Sequence, residues 1–375
     1  MRNIIFAVIA STLIICVAQH AVAQTTQENN NYVVETIASE LNEPWSIAFL
    51  PNNEYLVSLR SGELRIINAV GEIGPALQGA PETLYLGQGG YFDVILDPNF
   101  ADNQTIYLSF AHGEPKSNAT RVISAILNGD RLDDVKPIFT ANIKKDTGAH
   151  YGGRLAFMSD GTLIATTGDG FQYRDAAQNK SNQMGKVVRL NTDGTVPQDN
   201  PFAQDTTGAD LVWTYGHRNP QGLAIDPTSN TVYLHEHGPK GGDEINVLKA
   251  GSNYGWPAAT HGVNYSGALV SPHKSVPGMI DAIKVWVPSI APSGLAVYQG
   301  DQFPDWQGDL LVGALVDQEV RHIDIENGKV VADTPVFPEI KARIRDVRVN
   351  EQGAIFVLTD GPNGLLYKIS ATNNP

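Results

Sequence analysis

Apolar and polar residues alternate with a period of two in six separated stretches of the chain. They are WSIAFLPNNEYLVSLRSGELRIIN (45–68), YFDVILDPNFADNQTIYLSF (91–110), GGRLAFMSDGTLIATTGDG (152–170), PQGLAIDPTSNTVYLHEHG (220–238), PSGLAVYQGDQFPDWQGDLLVGAL (292–315) and IRDVRVNEQGAIFVLTDG (344–361). In each, Asp, Asn or Gly separates two alternating halves, the pattern of a β-hairpin. The starts recur at roughly 45–70 residue intervals, room for four strands per unit plus insertions. Six such units predict an all-β chain folded as a six-bladed β-propeller. A β-sandwich is the alternative fold, but it gives no reason for six similar hairpins. Nowhere is a helical period sustained.

A propeller draws the loops at one end of its channel together, so its chemistry is scattered in sequence and gathered in space. The N-terminal segment stands apart from this pattern. MRNIIFAVIASTLIICVAQHAVAQ carries Arg2, an apolar run and the small-residue sequence Ala21-Val22-Ala23, which reads as a signal peptide over residues 1–23. An uncleaved anchor is the other reading, though the run is shorter than the ~20 residues a bilayer span needs. The expected organisation is a signal (1–23), an N-terminal extension (24–40) and one catalytic propeller (41–372), exported to the periplasm or the medium. The single cysteine, Cys16, falls in the signal, so disulfides and thiol chemistry drop out. With 26 Lys+Arg against 40 Asp+Glu the net charge is −14, which argues against nucleic acid and anionic membrane as partners. No second apolar run is long enough to span a bilayer.

Several loops carry more polar chemistry than turns need. GQGG (87–90) offers the Gln88 amide on open backbone, with a plain turn as the alternative. GAHYGGR (148–154) sets His150 among small residues at a strand entry, where an imidazole can act as a base or simply bond a neighbouring loop. YGHRNPQ (215–221) brings His217, Arg218 and Asn219 together, suited to carboxylate or quinone oxygens or to a surface ion pair. Arg343 and Arg345 alternate on one face of a strand, a pairing that suggests an anionic ligand with more than one carboxylate. HEHGPKGGDEINVLKAGSNYGWP (235–257) presents the Gly238 and Pro239 carbonyls, Asp243, Glu244 and Tyr254, oxygen groups of the kind Ca²⁺ accepts. Its spacing alone leaves a metal site and a structural turn equally open.

At these residues the chain resembles the glucose/sorbosone dehydrogenases, six-bladed propellers that use pyrroloquinoline quinone (PQQ), and within them the bacterial soluble aldose sugar dehydrogenases. LNEPWSIAFLP, GQGGYFDVILDPNF, HYGGRL, MGKVVRL, DNPF, YGHRNPQGLA, EHGPKGGDEIN, NYGWP, NYSG, FPDWQGDLLVGAL and RIRDV occur in the family's order from Leu41 to about Asp360. The resemblance implies His150 as general base and Gln88, Arg218, Asn219, Ala314, Leu315, Arg343 and Arg345 as the cofactor's binding residues. It implies a catalytic Ca²⁺ on the Gly238 and Pro239 carbonyls, and a structural Ca²⁺ with Glu244 and Tyr254 as ligands. The implied reaction is oxidation of an aldose at its anomeric carbon to a lactone, with electrons passed to an unidentified acceptor, by a monomer or homodimer. Two positions depart from the family. Val316 stands where relatives have a lysine on the cofactor, and Ala149 stands where soluble glucose dehydrogenases have an aspartate that orients the histidine. Val316 keeps a second function in view, a non-catalytic calcium-binding propeller that holds a sugar or protein partner. A metal-dependent lactonase is a third, and it would require acidic and amide ligands on the channel axis.

Overall fold

Six four-stranded antiparallel sheets, arranged as blades, account for the strands of the computed structural model, which describes residues 31–372. Helix is confined to Phe100–Asn103 and three short 3-10 turns among the described residues. The innermost strands are Pro44–Leu50, Tyr91–Leu96, Gly152–Phe157, Pro220–Ile225, Pro292–Val297 and Ile344–Val349, one from each repeat seen in the sequence. They touch in a closed ring, the last meeting the first. The segment read as a signal peptide lies outside the described residues.

Closure joins the two ends of the propeller. Tyr32–Leu41 pairs antiparallel with Gly364–Ala371 and completes the sixth blade, next to Ile355–Thr359 and Ile344–Val349. The propeller therefore begins at residue 32, and residues 32–40 are not an extension outside it. The strand escaped notice because it lies at a sheet edge and buries only Ala38 and Leu41 of its ten residues, too few for a visible period of two.

Apolar burial lies between blades. Leu50, Leu56 and Leu64 of the first blade pack on Val94, Leu108 and Ile123 of the second; Leu155 and Leu163 of the third pack on Val122 and Phe139; Ile355 and Val357 of the sixth pack on Leu311 and Val320 of the fifth. At roughly 25 cal/mol per Å² of apolar surface removed from water, these seams are the main driving force for assembly.

The channel axis is filled by charge. Arg154 donates from Nη1 to Asp346 Oδ1 at 2.8 Å and from Nε to the Gln221 carbonyl at 2.7 Å. Arg348 donates to Asp346 Oδ2 at 2.8 Å and to Asp93 Oδ1 at 2.6 Å. Ser46 bonds Asp93 at 2.6 Å, and Arg154 also reaches the Ser293 carbonyl at 3.3 Å. Every inner strand thus contributes to one network. Space is tight enough that a Cβ on Gly222 would lie 2.1 Å from the His235 ring, and one on Gly294 would lie 2.3 Å from the Val347 nitrogen.

Each inner strand also slips register against its hairpin partner near its first residues: Pro44/Ser46, Tyr91/Val94, Gly152/Leu155, Pro220/Gly222, Pro292/Leu295 and Ile344/Asp346. Such bulges bend a strand and re-aim its side chains. Six at one end of the channel turn the strand entries toward a common space.

Asp346→Ala leaves Arg154 and Arg348 sharing one remaining carboxylate inside the channel. Removing one partner of a buried pair costs about 3–5 kcal/mol, so the variant should unfold at markedly lower denaturant concentration; a midpoint equal to that of wild type would contradict the role of the network.

Candidate active site

The strand entries surround a cavity of about 330 Å³. Glu43, Gln88, Gly152, Asn219, Ala291 and Arg343 each stand at or just before an inner strand and line it. The antiparallel second strands end at the same level and add Arg60, His237, Leu315 and Asp360. A larger cavity of about 640 Å³ opens beside the opposite ends of the inner strands. Its one basic lining residue is Arg348, already committed to Asp93 and Asp346, and no histidine lines it. A histidine and arginines outside the channel network line the smaller cavity instead.

His150 directly precedes the cavity wall formed by Tyr151 and Gly152 and is 4% exposed. Its backbone is left-handed, φ 51°, a conformation uncommon for a side chain this large. The Gln88 Oε1 holds it there by accepting from the His150 N–H at 2.8 Å. Nδ1 donates to Asp169 Oδ1 at 2.7 Å, which leaves Nε2 as the acceptor nitrogen. Burial pushes the imidazole down to about 4, and Arg218 and His237 push the same way; Asp169 opposes them. At neutral pH the ring is uncharged and ready to take a proton, and Asp169 stabilises the imidazolium that results.

Asp169 is the orienting carboxylate that Ala149 cannot be. It is fully buried and accepts from the Phe171 N–H at 2.8 Å and the Trp256 indole N–H at 2.8 Å. The sequence shows it in GDG at the end of the third repeat, directly after the second strand Leu163–Thr167. The exit of each second strand was the available signal. It also marks Arg60, His237 and Asp360.

The cofactor residues implied by the resemblance divide into those on the cavity and those behind it. Gln88, Asn219, Leu315, Arg343 and Arg345 line it. Asn219 spends Oδ1 on the Gly152 N–H at 3.2 Å. The amide nitrogens of Gln88 and Asn219 make no hydrogen bond among the described residues, so both face the space as donors. Arg218 lies deeper, its guanidinium bonded to the His237 carbonyl at 3.0 Å and the Gly238 carbonyl at 2.6 Å. Ala314 is fully buried in the seam between the fourth and fifth blades and does not line the cavity. His217 is structural: its ring stacks on Tyr254 at 4.9 Å and bonds Glu236 at 2.8 Å.

Arg343 and Arg345 already have an anion between them. Asp360 accepts from Arg343 Nε at 3.0 Å and from Arg345 Nε and Nη2 at 3.0 and 2.9 Å. Although burial pushes the Asp360 carboxyl up, Arg345 and Arg343 hold it below its ordinary range. The pair therefore does not by itself require an anionic ligand. Arg343 remains about half exposed and keeps donors directed outward. Arg60 has a buried Nε with no partner. Val316 brings an exposed apolar side chain to the cavity rim.

The 235–257 loop divides as its chemistry suggests. Asp243 accepts from the Gly238 N–H at 2.8 Å and the Ala291 N–H at 2.9 Å, so it shapes the turn. Among the described residues the Pro239 carbonyl accepts no hydrogen bond. Glu244 sits opposite Glu236 in the strand pair Val232–Glu236 and Asp243–Leu248. Burial first and then Glu236 push its carboxyl up to about 8, against a bond from Asn246. The buried Asn246 Oδ1 has no partner. Among the described residues the Glu244 carboxyl accepts from the Asn246 amide at 3.0 Å but has no cationic partner, and such a carboxyl on one strand with an orphaned amide oxygen fits a hard cation. The Tyr254 hydroxyl is not free for one, since it donates to the Val247 carbonyl at 2.9 Å and accepts from the Lys249 N–H at 2.8 Å; only its main-chain carbonyl remains. No cluster of three His, Cys, Asp or Glu side chains suited to a metal occurs among the described residues, so a cation near the cavity depends on carbonyls.

Comparison with known proteins shows the family and the fold. The sequence model described as Glucose / Sorbosone dehydrogenase matches residues 41–368. Aldose sugar dehydrogenase YliI of Escherichia coli K12 is 42% identical, over 91% of this chain and 93% of its own length. The crystal structure of the soluble aldose sugar dehydrogenase of Escherichia coli in the apo form superposes with a TM-score of 0.87 at 41% identity, covering 91% of this chain and 99% of that one. The PQQ-bound form of the aldose sugar dehydrogenase of Streptomyces coelicolor gives 0.74 at 25% identity, covering 90% and 98%.

His150 predicts a pH effect on stability. Its proton affinity is depressed in the folded state, so its contribution is present above about pH 6.5, the unfolded value, and is lost as pH falls toward 4. The stability of wild type relative to His150→Gln should therefore decline between pH 7 and 4.5 in parallel urea titrations. A constant difference would show that the folded imidazole is not depressed.

Proposed function

Because the chain belongs to the glucose/sorbosone dehydrogenase family, we propose that it is an oxidoreductase that oxidises aldose sugars at the anomeric CH–OH to lactones, with PQQ and Ca²⁺ as cofactors. The observation that carries this reading is the His150–Asp169 pair set directly behind a cavity of outward-facing amide and guanidinium donors. Its volume falls at the lower end of the ~300–1,000 Å³ usual for small-molecule sites. Gln88, Asn219, Arg343 and Arg345 would hold the carboxylates and carbonyls of the quinone, and the Gly238 and Pro239 carbonyls would hold the ion. PQQ supplies the two-electron acceptor for the hydride that leaves the anomeric carbon.

The chain's own residues do the rest. His150 Nε2 accepts the proton of the anomeric hydroxyl, and Asp169 stabilises the imidazolium through Nδ1. Gln88 fixes the backbone of the base, which keeps the ring from turning away as charge develops. Arg218 draws the Gly238 carbonyl into place and lends positive charge near the forming carbonyl oxygen. Phe171 packs edge-on to the His150 ring, 5.1 Å between centroids, and stays 46% exposed. Exposed Tyr265 stands 6.5 Å from Phe171. This aromatic wall suits the C–H face of a sugar.

Val316 favours a second reading, in which the chain binds its ligands without turnover. Reconstitution separates the two. The protein loaded with PQQ and Ca²⁺ should reduce an artificial dye when given D-glucose or maltose, and His150→Gln should lower kcat by about 10²–10⁴. No turnover by the loaded wild type on any aldose would defeat the enzymatic reading.

Two variants probe the remaining parts. Phe171→Ala should raise KM for sugar several-fold with kcat nearly unchanged, as expected when only ground-state packing is lost. Ca²⁺ should raise the thermal midpoint of the protein, and Glu244→Gln should shrink that gain.

A further inference from the structure

Trp256 belongs to the NYGWP sequence and stands behind the cavity, outside its lining. It is 7% exposed. Its indole N–H donates to Asp169 Oδ2 at 2.8 Å, while the Arg218 guanidinium carbon lies 5.3 Å from its ring centroid, within cation–π reach. Its backbone is held at both ends: the N–H donates to the Gly216 carbonyl at 2.9 Å, and the carbonyl accepts from Gln178 Nε2 at 2.7 Å. One side chain therefore touches the carboxylate behind the base and the cation behind the Gly238 carbonyl.

We infer that Trp256 is a positioning residue that sets the proton affinity of the His150–Asp169 pair through its N–H and the placement of Arg218 through its ring face. The assignment of His150 as base rests on the function proposed above, but the contacts do not. Asp169 Oδ1 is shared by His150 Nδ1 and the Phe171 N–H. Trp256 is the one donor to Oδ2 among the described residues. Hydrogen bonds to a carboxylate stabilise its charged form. Removing this donor therefore makes the pair as a whole bind its proton more tightly, whichever member carries it. The charged groups that face the pair are Arg218 and His237, which act on His150, and Lys145, whose ammonium is bonded to the Thr147 carbonyl at 3.1 Å and acts on Asp169. None of them is altered by a substitution at Trp256, except as Arg218 shifts.

Two substitutions separate the two contacts. Trp256→Phe keeps an aromatic face toward Arg218 and loses the N–H; Trp256→Leu loses both. In protein without cofactor, the His150 ring followed by ¹³C NMR should titrate about one pH unit higher in W256F than in wild type. In the loaded enzyme the acid limb of kcat/KM should move up by the same amount. PQQ affinity, read from quinone absorbance, should be near wild type in W256F and several-fold weaker in W256L. A W256F protein whose His150 titrates as in wild type would overturn the proposal, even in an active enzyme. An inactive wild type whose His150 still shifts in W256F would defeat the proposed function and leave this inference standing.

A measurement on the unsubstituted fold covers the case in which W256F does not fold. With all five tryptophans replaced biosynthetically by 5-fluorotryptophan, the ¹⁹F resonance of Trp256 should move with the His150 titration. The other four are assigned by single Trp→Phe changes. A Trp256 resonance that ignores that titration would refute the coupling.

Discussion

The ion network of Arg154, Arg348, Asp93 and Asp346 in the channel is the constraint on which the rest of the structure depends. Six blades each driven by apolar seams could close with some freedom of tilt, because apolar burial is not directional. The network removes that freedom, since its carboxylates accept from fixed donors on other inner strands, Asp346 from Arg154 and Asp93 from Ser46 and Arg348. Burying four charges is costly, and a well-packed apolar plug would serve stability as well or better. What the charges specify is position. Arg154 also donates to the Arg345 carbonyl at 3.3 Å, so the network that locks the axis holds the strand entry carrying two cavity cations.

Much of this was legible in the sequence for a physical reason. Inner strands and their hairpin partners are buried, so their alternation is strong, and all six repeats were visible. Residues at strand entries follow directly from those repeats, which is why His150, Gln88, Asn219 and Arg343 could be singled out. The closing strand Tyr32–Leu41 was invisible because an edge strand buries little. Asp169, Arg60 and Asp360 stand at strand exits, and only antiparallel pairing, not the alternation itself, brings those exits back to the level of the entries. Ala314 was placed at the cavity by resemblance, yet its side chain points into an apolar seam. The meaning of paired arginines also could not be read from spacing, since their anion, Asp360, comes from the following strand.

An acidic protein has used several of its cations inside. The Lys186 ammonium is fully buried and donates to the carbonyls of Ala176 at 3.0 Å and Ala177 at 3.1 Å, as well as Met184. Lys145 donates to the carbonyls of Thr147 and Ala149, the residue before the base, with its ammonium over the Tyr151 ring. Burial draws both lysines down to about 7. Arg218 does the same for the His237 and Gly238 carbonyls. Three irregular segments are thus gathered around a positive group that collects carbonyls a strand ladder leaves unpaired.

The open backbone of residues 235–257 follows the same rule, carried one step further. Its turn is shaped by Asp243, a carboxylate that binds N–H groups and so leaves the carbonyls pointing outward. Arg218 takes two of them, and the Pro239 carbonyl is left over beside Gly238. At Glu244 the balance tips the other way, with a carboxyl facing Glu236 and an orphaned Asn246 oxygen close by in the strand. A loop with more oxygens than the Arg218 guanidinium satisfies is what the proposed Ca²⁺ would require, and glycine exposes a carbonyl without a side chain to shield it. The composition of the segment is thus explained by an excess of acceptors that the fold creates and the chain's own cations only partly meet.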